Sequence, residues 1–292
     1  MKDEPIVYKG MTASQLADAY NIYKNIPDPD KFLQTSRERA QTVKVRLKPI
    51  CDIAYGPEPI QKLDIYAPSN AKSLPVLIEI HGGGWAQGSK NTRAIPAEGI
   101  LSQEIIWVPI DYGLAPAYKM ESMISHVQSA IAWVYHNIAS FGGGPDCLFI
   151  YGNSAGGQLA AMTLMVDWQK DYNLRVNPIK GVICVSGEFD LLTYVYSNAG
   201  PQEFLQMSLE EARNASPLHQ TPKMNVPVIL AYGGAERPSF INGSKEYAAV
   251  LEKLGLPVTL IEIPNAHHLD TINSLENTQG RLFKAVLEMI KR

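Results

Sequence analysis

The chain has 292 residues, of which 46% are hydrophobic and 19% charged, a composition typical of a soluble globular protein with a substantial core in one domain or two. Its 26 Lys and Arg against 29 Asp and Glu give a net charge of −3, without a block of like charge. We therefore expect no nucleic-acid partner and no membrane partner.

The N-terminal residues and the cysteines favour a cytoplasmic protein. Residues 1–5 contain two acids and a proline and precede no apolar run, so no secretory signal is expected. No stretch approaches the roughly 18 apolar residues that a membrane span needs. Cys51, Cys147 and Cys184 are odd in number and widely spaced, which favours buried thiols in a reducing compartment over a disulfide framework.

The first quarter of the chain predicts a helical segment followed by two paired strands. Residues 1–43 carry scattered Leu, Tyr and Ile and proline turns near 27–29, which indicates short helices across the sheet or over its mouth. Segments 43–54 and 60–66 alternate apolar and polar residues, as an antiparallel edge pair would. No repeat divides the chain, so we expect a single domain over 1–292, with 1–43 near the active-site mouth.

From residue 75 onward, short apolar runs alternate with longer segments of helical period. The runs are apolar on both faces, as in a parallel sheet covered by helices, and the intervals leave room for crossover connections. The sequence therefore predicts an α/β fold with a mostly parallel central sheet and helices on both faces. The predicted strands are 75–80, 105–110, 147–151, 179–185, 226–232 and 257–263.

The clearest predicted helix covers residues 121–140. Met123, Val127 and Ile131 recur there at four-residue spacing and begin one apolar stripe. The glycines from Gly142 onward are expected to end this helix. Further helices are predicted at 155–170, 208–214, 239–254 and 271–292.

A nucleophile motif lies between a predicted strand and a predicted helix. Gly152-Asn-Ser-Ala-Gly156 fits the pattern Gly-x-Ser-x-Gly. The two glycines remove side chains that would clash in a sharp strand-to-helix turn, which leaves the Ser154 hydroxyl exposed at its apex. Ser154 is therefore the predicted nucleophile. The alternative is a glycine-rich turn with an incidental serine.

A second glycine run follows the strand predicted at 75–80. In His81-Gly-Gly-Gly-Trp85, the absence of Cβ atoms lets backbone N–H groups approach a reacting carbonyl oxygen. We expect the N–H groups of Gly83, Gly84 and Ala155 to form an oxyanion hole. The alternative is a flexible turn without that role.

The general base is expected to be a histidine after the last strand, because a serine needs a base at neutral pH. His267 and His268 both lie there. We favour His268, with His267 as a lid or packing residue. The remaining candidates show no partner pattern and are interpreted as structural: His126, His136 and His219.

The acid that orients this histidine is expected after a strand between nucleophile and base. Glu236, just after 226–232, is the preferred candidate, and Asp190, after 179–185, is the rival. Arg237 could instead claim Glu236 as an ion-pair partner.

Four aromatic residues near strand ends are candidates for an acyl or aryl pocket, with packing as the alternative for each: Trp85, Tyr112, Phe189 and Tyr232. The histidines and acids show no zinc-type spacing, and no glycine run continues into a phosphate-binding loop. We therefore expect no metal and no cofactor.

From about residue 45 to residue 290 the chain resembles serine hydrolases of the α/β-hydrolase fold. The segments His81-Gly-Gly-Gly-Trp85, Asp111-Tyr-Gly-Leu-Ala-Pro116 and Gly152-Asn-Ser-Ala-Gly-Gly157 are similar to the hormone-sensitive-lipase-like esterases. Further along, Ser186-Gly-Glu-Phe-Asp-Leu, Ala215-Ser-Pro-Leu and Gly233-Gly-Ala-Glu resemble the kynurenine formamidase (arylformamidase) branch.

The resemblance implies the triad Ser154, His268 and Glu236. Two departures are visible. Many members of the family have aspartate where Glu236 stands, and the formamidases commonly have tyrosine where Gly84 stands.

Taken together, these residues predict a serine hydrolase that cleaves a carboxylic ester or activated amide of a small molecule through an acyl-enzyme intermediate. A kynurenine formamidase-like aryl formamide hydrolase is the alternative within the enzymes. A non-catalytic small-molecule-binding protein on the same fold is the alternative from another class. The expected partner is a small-molecule ester or amide, and a homodimer is left open.

Overall fold

An eight-stranded sheet forms the centre of the molecule in the computed structural model, which describes residues 4–292 except for the side chain of Asn25. Two further strands, β1 and β2, form a separate hairpin. Numbered in chain order, the strands of the described residues are β1 (Ile6–Tyr8), β2 (Met11–Thr12), β3 (Ile50–Ala54), β4 (Lys62–Ile65), β5 (Leu74–Ile80), β6 (Ile106–Ile110), β7 (Gly143–Asn153), β8 (Ile179–Val185), β9 (Val228–Gly233) and β10 (Val258–Ile263).

Eleven α-helices occur within the described residues. They are α1 (Ala13–Ala19), α2 (Pro29–Leu47), α3 (Ala97–Leu101), α4 (Met120–Asn137), α5 (Ala155–Met162), α6 (Trp168–Asp171), α7 (Leu192–Ser197), α8 (Gln202–Leu205), α9 (Leu209–Asn214), α10 (Pro238–Lys253) and α11 (Arg281–Lys291). Short 3₁₀ turns lie at Ile22–Asn25, Lys90–Thr92, Ile138–Phe141, Thr163–Met165, Pro217–His219 and Asp270–Asn273.

The central sheet has the strand order β10-β9-β8-β7-β5-β6-β4-β3. Neighbouring strands from β10 to β6 pair in parallel, whereas β4 pairs antiparallel with both β6 and β3. The predicted α/β architecture is therefore confirmed, as are all six strands predicted after residue 75. Because the strands are parallel, the loops that follow β5, β7, β8, β9 and β10 meet at one edge of the sheet.

The sheet separates two apolar cores, as expected for strands that are apolar on both faces. In β5, Val76 and Ile78 belong to the larger core, which includes residues of α4, α5 and α10. Leu77 points to the opposite face and belongs to the second core, which includes residues of α3 and α11. Successive side chains of a strand alternate between faces, so one short apolar run supplies both cores.

The antiparallel edge is confirmed, but part of its predicted first strand is helical. Residues 43–47 form the end of α2 rather than the start of β3. Val43 and Leu47 are four residues apart, so on a helix they share one face, and both pack against the second core. That packing decides the conformation of a segment whose alternation favours a strand.

The N-terminal segment also differs from the short helices that its sequence predicts. A two-stranded hairpin, β1 with β2, precedes α1, and α2 is a helix of 19 residues. The side chain of Asp28 accepts a hydrogen bond from the Lys31 N–H and caps the start of α2. The first three residues of the predicted segment lie outside the described part of the chain.

Three predicted helices are shorter than expected. The helix predicted over 155–170 ends at Met162, where the Thr163 hydroxyl donates to the Ala160 carbonyl and a 3₁₀ turn follows. The helix predicted over 271–292 starts only at Arg281, and residues 270–273 form a 3₁₀ turn in which the Thr271 hydroxyl donates to the carbonyl of residue 268. The helix predicted over 121–140 ends at Asn137, and Gly142 at φ 81° closes the 3₁₀ turn beyond it.

The cysteines do not all match the expectation of buried thiols. Cys184 is buried and Cys147 is half-buried, but Cys51 on the edge strand β3 is exposed, so the expectation is wrong there. None of the helices in the described residues combines the length and the apolar character that crossing a membrane requires.

A buried carboxylate joins the antiparallel edge to α2 and to the loop after β5. Asp64 of β4 is fully buried, and its oxygens accept hydrogen bonds from the Asp52 N–H at 2.9 Å and from the Lys44 ammonium at 2.7 Å. The Lys90 ammonium lies 2.8 Å from Asp64 Oδ1. Burial raises the pKa of Asp64, but the hydrogen bonds from Lys44 and Lys90 outweigh burial and leave the pKa below its usual value.

We predict that Asp64→Asn lowers the free energy of unfolding by about 3 kcal/mol at pH 7, because it leaves the buried Lys90 ammonium short of a partner. The pKa of Asp64 is lower in the folded than in the unfolded chain. Its contribution is therefore complete above the unfolded value of about 3.9 and is lost as pH falls through the folded value. Urea unfolding at pH 7 and 5 should give the same difference between wild type and variant, and the difference should shrink on further acidification.

The matched control for this prediction is Asp52→Asn. Asp52 also contacts Lys90, but its side chain is 69% exposed. The control should cost less than about 1 kcal/mol. An equal loss of unfolding free energy in the two variants would contradict the prediction that burial of Asp64 makes its ion pair with Lys90 important for stability.

Candidate active site

Ser154 occupies a strained turn between β7 and α5. Its backbone lies at φ 57° and ψ −124°, which non-glycine residues rarely adopt. A Cβ on Gly152 would lie 2.0 Å from the Gly156 carbonyl oxygen, and a Cβ on Gly156 would lie 2.0 Å from the Ile80 carbonyl oxygen. Only glycine fits at either position, so the two glycines of the motif are what allow α5 to approach β7 and β5 so closely.

The structure brings Ser154, His268 and Glu236 into one chain of hydrogen bonds. His268 Nε2 lies 2.9 Å from Ser154 Oγ, and His268 Nδ1 lies 2.5 Å from Glu236 Oε1. All three residues are buried, at 7%, 4% and 7% exposure. The sequence separates these residues by up to 114 positions, and the parallel sheet joins them because they follow β7, β9 and β10.

The carboxylate of Glu236 is held in place by two further donors. Its Oε2 accepts hydrogen bonds from the Gly233 N–H at 2.7 Å and from the Ser186 hydroxyl at 2.8 Å. Oε1 is thereby left to face the imidazole. The longer glutamate side chain is accommodated because it turns back over the end of its own strand β9.

Sequence reasoning missed Thr271, which braces the histidine loop. Its hydroxyl donates to the His268 carbonyl at 2.7 Å and accepts from the Asn153 side-chain amide at 2.9 Å. Ser186 Oγ lies 3.1 Å from the same oxygen. The hydroxyl therefore connects the residue before Ser154 to the backbone of His268. The only signal for it in the sequence is its position three residues after that histidine.

Three backbone N–H groups, two in the loop after β5 and one at the start of α5, have no acceptor within the described chain. Within the described chain, the N–H groups of Gly83, Gly84 and Ala155 donate to no backbone or side-chain acceptor. Gly83 has φ 127°, and a Cβ there would lie 2.0 Å from the Gln87 carbonyl oxygen, so the position requires glycine. Free N–H groups beside a serine hydroxyl can bind the oxygen of a tetrahedral intermediate.

The other histidines are engaged elsewhere. His267 Nδ1 accepts from the Asp270 N–H, and its ring packs edge-on against Phe32 at 5.7 Å, which is the packing alternative. His126 accepts from a backbone N–H, and His136 is exposed. His81, inside the glycine run, is buried, which lowers its pKa to about 4 and keeps the ring neutral.

The alternatives for the acid position find other partners. Asp190 accepts a hydrogen bond from the Tyr8 hydroxyl at 3.0 Å and pairs with Lys9 at 2.8 Å and His219 at 3.1 Å. Arg237 pairs with Asp18 of α1 at 2.7 Å, so the alternative ion pair between Arg237 and Glu236 does not form. His268 Nδ1 is therefore left to Glu236.

A cavity of about 890 Å³ opens beside Ser154 and His268. One wall comes from the N-terminal segment, through residues of α1 and α2 and the turn between them. Another comes from residues 194–204, in the long interval between β8 and β9. The aromatic residues that line the cavity are Tyr20, Tyr23, Tyr194 and Phe204. The buried carboxyl of Glu188 also lines it.

The four aromatic residues predicted for the pocket do not line this cavity, and that expectation is corrected. Each is buried and already engaged: the Trp85 indole N–H donates to Gln158, the Tyr112 hydroxyl donates to the His81 carbonyl, Phe189 stacks on Tyr247, and the Tyr232 hydroxyl donates to Glu262. Phe189 contacts only a small neighbouring cavity. The sequence does contain a signal for the cavity wall, because the interval between β8 and β9 is more than 40 residues, far longer than a crossover connection needs.

Among the described residues, no group of three or more His, Cys, Asp or Glu side chains could hold a metal ion. The Ser154 hydroxyl contacts an imidazole, and that imidazole contacts a carboxylate. Together with unpaired N–H groups after β5 and at the start of α5, this arrangement suits attack on a carbonyl carbon.

Comparison with known proteins shows the family to which the chain belongs. The BD-FAE family model matches residues 63–251. A kynurenine formamidase of Salmo salar is 32% identical, over 88% of this chain and 86% of its own. An isoprenylcysteine α-carbonyl methylesterase of Arabidopsis thaliana is 26% identical, over 82% of this chain and 61% of its own.

A solved structure of a protein from Silicibacter sp. tm1040 shares the fold, with a TM-score of 0.80 at 22% identity, covering 95% of this chain and 99% of its own. The chain therefore belongs to the BD-FAE family of α/β-hydrolases, in the branch that includes the kynurenine formamidases, and is an enzyme that hydrolyses ester or amide substrates.

Proposed function

We propose that this enzyme acts through an acyl-enzyme, with Ser154 as nucleophile, His268 as general base and acid, and Glu236 as the residue that orients the imidazole. The observation that carries the proposal is the unbroken chain of hydrogen bonds from Ser154 Oγ through His268 to Glu236, at 2.9 and 2.5 Å, beside a large cavity. A binding protein would have no need of this alignment.

The proposed reaction has two halves. Ser154 Oγ attacks the substrate carbonyl while His268 Nε2 takes the hydroxyl proton, and the carbonyl oxygen accepts from the N–H groups of Gly83, Gly84 and Ala155. Each such donor is worth about 3 kcal/mol to the transition state. The imidazolium then protonates the leaving group. Water attacks the acyl-enzyme by the same route, and Ser154 is regenerated.

For the substrate we propose a small aryl formamide of the N-formylkynurenine type. This choice is supported by the kynurenine formamidase relative and by the rings of Tyr20, Tyr194 and Phe204 in the cavity wall. A short-chain or aryl ester is the second candidate. Gly84, where formamidases commonly have tyrosine, and the methylesterase relative favour it.

We also propose that the whole chain works as one domain in the cytoplasm. Support for the first point comes from α1 and α2, which supply part of the cavity wall beside a serine of the sheet edge. Support for the second comes from the cysteines, which are all free thiols in the described chain.

A fluorophosphonate probe tests the proposed nucleophile. We expect stoichiometric labelling of the wild type and none of Ser154→Ala, because only a serine activated by a base reacts with such probes. Peptide mass spectrometry locates the adduct. Ser197→Ala is the matched control, since Ser197 lines the same cavity but its hydroxyl donates to the Tyr194 carbonyl. Folded wild-type protein that resists labelling would favour the binding-protein alternative.

The acid assignment is tested by two conservative amides. Glu236→Gln should lower kcat by about 10⁴, as the comparable change does in serine proteases, because the amide cannot stabilise the imidazolium. Asp190→Asn should lower kcat by less than about tenfold, since Asp190 contacts the N-terminal hairpin instead. Steady-state kinetics of both variants, with circular dichroism to confirm folding, give the comparison. The opposite ranking would move the acid to Asp190.

The substrate proposal is tested by parallel assays on N-formylkynurenine and a series of p-nitrophenyl esters. We expect kcat/KM of at least about 10⁴ M⁻¹s⁻¹ for the formamide, and ester rates that fall as the acyl chain lengthens, because a formyl group is the smallest acyl group. Turnover of esters alone would make the ester candidate correct. If neither substrate is hydrolysed although Ser154 is labelled by the probe, both proposed substrate classes are wrong, but the assignment of Ser154 as nucleophile is not contradicted.

A further inference from the structure

Glu188 is a buried carboxyl in the cavity that the proposed chemistry does not use. It is 6% exposed and lines the large cavity together with Ser154 and His268. It stands three residues after Val185, whose carbonyl accepts the Ser154 N–H at 2.8 Å, and two residues after Ser186, which donates to Glu236. Glu188 thus belongs to the same sheet edge as the proposed triad.

The Glu188 carboxyl lacks the partners that buried acids normally have. Within the described chain, no donor or acceptor lies within hydrogen-bonding distance of its buried Oε2. An unsatisfied buried polar atom destabilises the folded state, and more so when the group is charged. Glu236, by contrast, has a partner on each oxygen. A carboxyl that is left unpaired at the wall of a binding cavity indicates a partner on the ligand.

The charges around Glu188 favour a cation as that partner. The negative charge of Glu236 acts on Glu188, and the small cavity that Glu188 also lines is bordered by Lys9, which already bridges Asp190 and Glu246. That cluster has one positive charge between two negative ones. Among the described residues, neither arginine of the large cavity forms an ion pair with Glu188: Arg93 pairs with Glu79, and the side chain of Arg37 is exposed.

Burial, and then the charge of Glu236, raise the pKa of Glu188 to about 8. The carboxyl is therefore mostly protonated in the free protein at pH 7. A bound cation would reverse this balance, because it supplies the opposite charge that the cavity wall lacks.

Aromatic rings complete the surroundings. Tyr20 borders both cavities alongside Glu188. Its ring meets those of Tyr194 at 5.5 Å and Phe240 at 5.8 Å. Aromatic faces beside a carboxylate are a recurrent setting for ammonium groups.

We propose that Glu188 is a specificity-determining residue that binds a protonated amino group of the substrate, with the rings of Tyr20 and Tyr194 beside it. The proposal deepens and rests on the proposed function: the substrate would be an ester or amide that carries an aliphatic amine apart from its scissile group. Glu188 takes no part in the bond changes.

Calorimetric titration with two ligands of matched shape, 2-phenylethylammonium and 2-phenylethanol, tests the proposal. At pH 7 the wild type should bind the amine at least about tenfold more tightly than the alcohol, since a charge-assisted hydrogen bond replaces a neutral one. Glu188→Gln should abolish the preference. Glu246→Gln, the matched control, should keep it, because Glu246 lies outside the large cavity.

Proton release provides a second readout on the wild type alone. Because Glu188 is mostly protonated when free and ionised in the complex, amine binding at pH 7 should release close to one proton, detected by repeating the titration in buffers of different ionisation enthalpy. The alcohol should release none. Because this measurement uses only the wild type, it tests the proposed role of Glu188 even if Glu188→Gln fails to fold.

Two results would overturn the proposal: equal affinities for amine and alcohol in the wild type without proton release, or an amine preference that survives in Glu188→Gln. Neither measurement requires turnover. The amine site can therefore fail while Ser154 is labelled, and the nucleophile can fail while the amine binds.

Discussion

The arrangement of the site depends on the close approach of α5 to the ends of β5 and β7. That approach exists because residues 152 and 156 carry no Cβ, which would otherwise lie 2.0 Å from a carbonyl oxygen at each position. The same contact forces Ser154 into its strained backbone and starts α5 with an unused N–H at Ala155. Strain at one residue thus yields both an exposed hydroxyl and a donor beside it.

The parallel sheet then determines which other side chains can reach that hydroxyl. Each strand from β5 to β10, β6 excepted, contributes its following loop, and the residues concerned are Gly83 after β5, Ser154 after β7, Glu188 after β8, Glu236 after β9 and His268 after β10. These loops are neighbours only because the strand order places β8, β9 and β10 on one side of β7 and β5 on the other. Two hydrogen bonds then fix the loops relative to one another: the Ser186 hydroxyl donates to Glu236, and the Asn153 side-chain amide donates to the Thr271 hydroxyl.

What the sequence could predict is what short-range physics decides. A local sequence pattern marks the buried strands, the glycines at 152 and 156, and the loops after successive strands. From that pattern we could predict the six parallel strands and the proximity of Ser154, His268 and Glu236. The cavity wall has no such pattern. Whether Trp85 or Tyr20 faces the cavity depends on packing between segments far apart in the chain, and the helical state of residues 43–47 depends on the core beneath them.

The two buried carboxyls of the site show how environment separates roles within one residue type. Glu236 faces an imidazole and accepts from two further donors, so its negative charge is compensated by the protein itself. Burial, and then the charge of Glu236, raise the pKa of Glu188 to about 8, so this carboxyl is mostly protonated at pH 7 without a ligand. A charge that the protein satisfies is fixed and can orient a histidine through every turnover. A carboxyl that the protein leaves unpaired makes the site selective, because a cationic ligand supplies the opposite charge that lets it ionise.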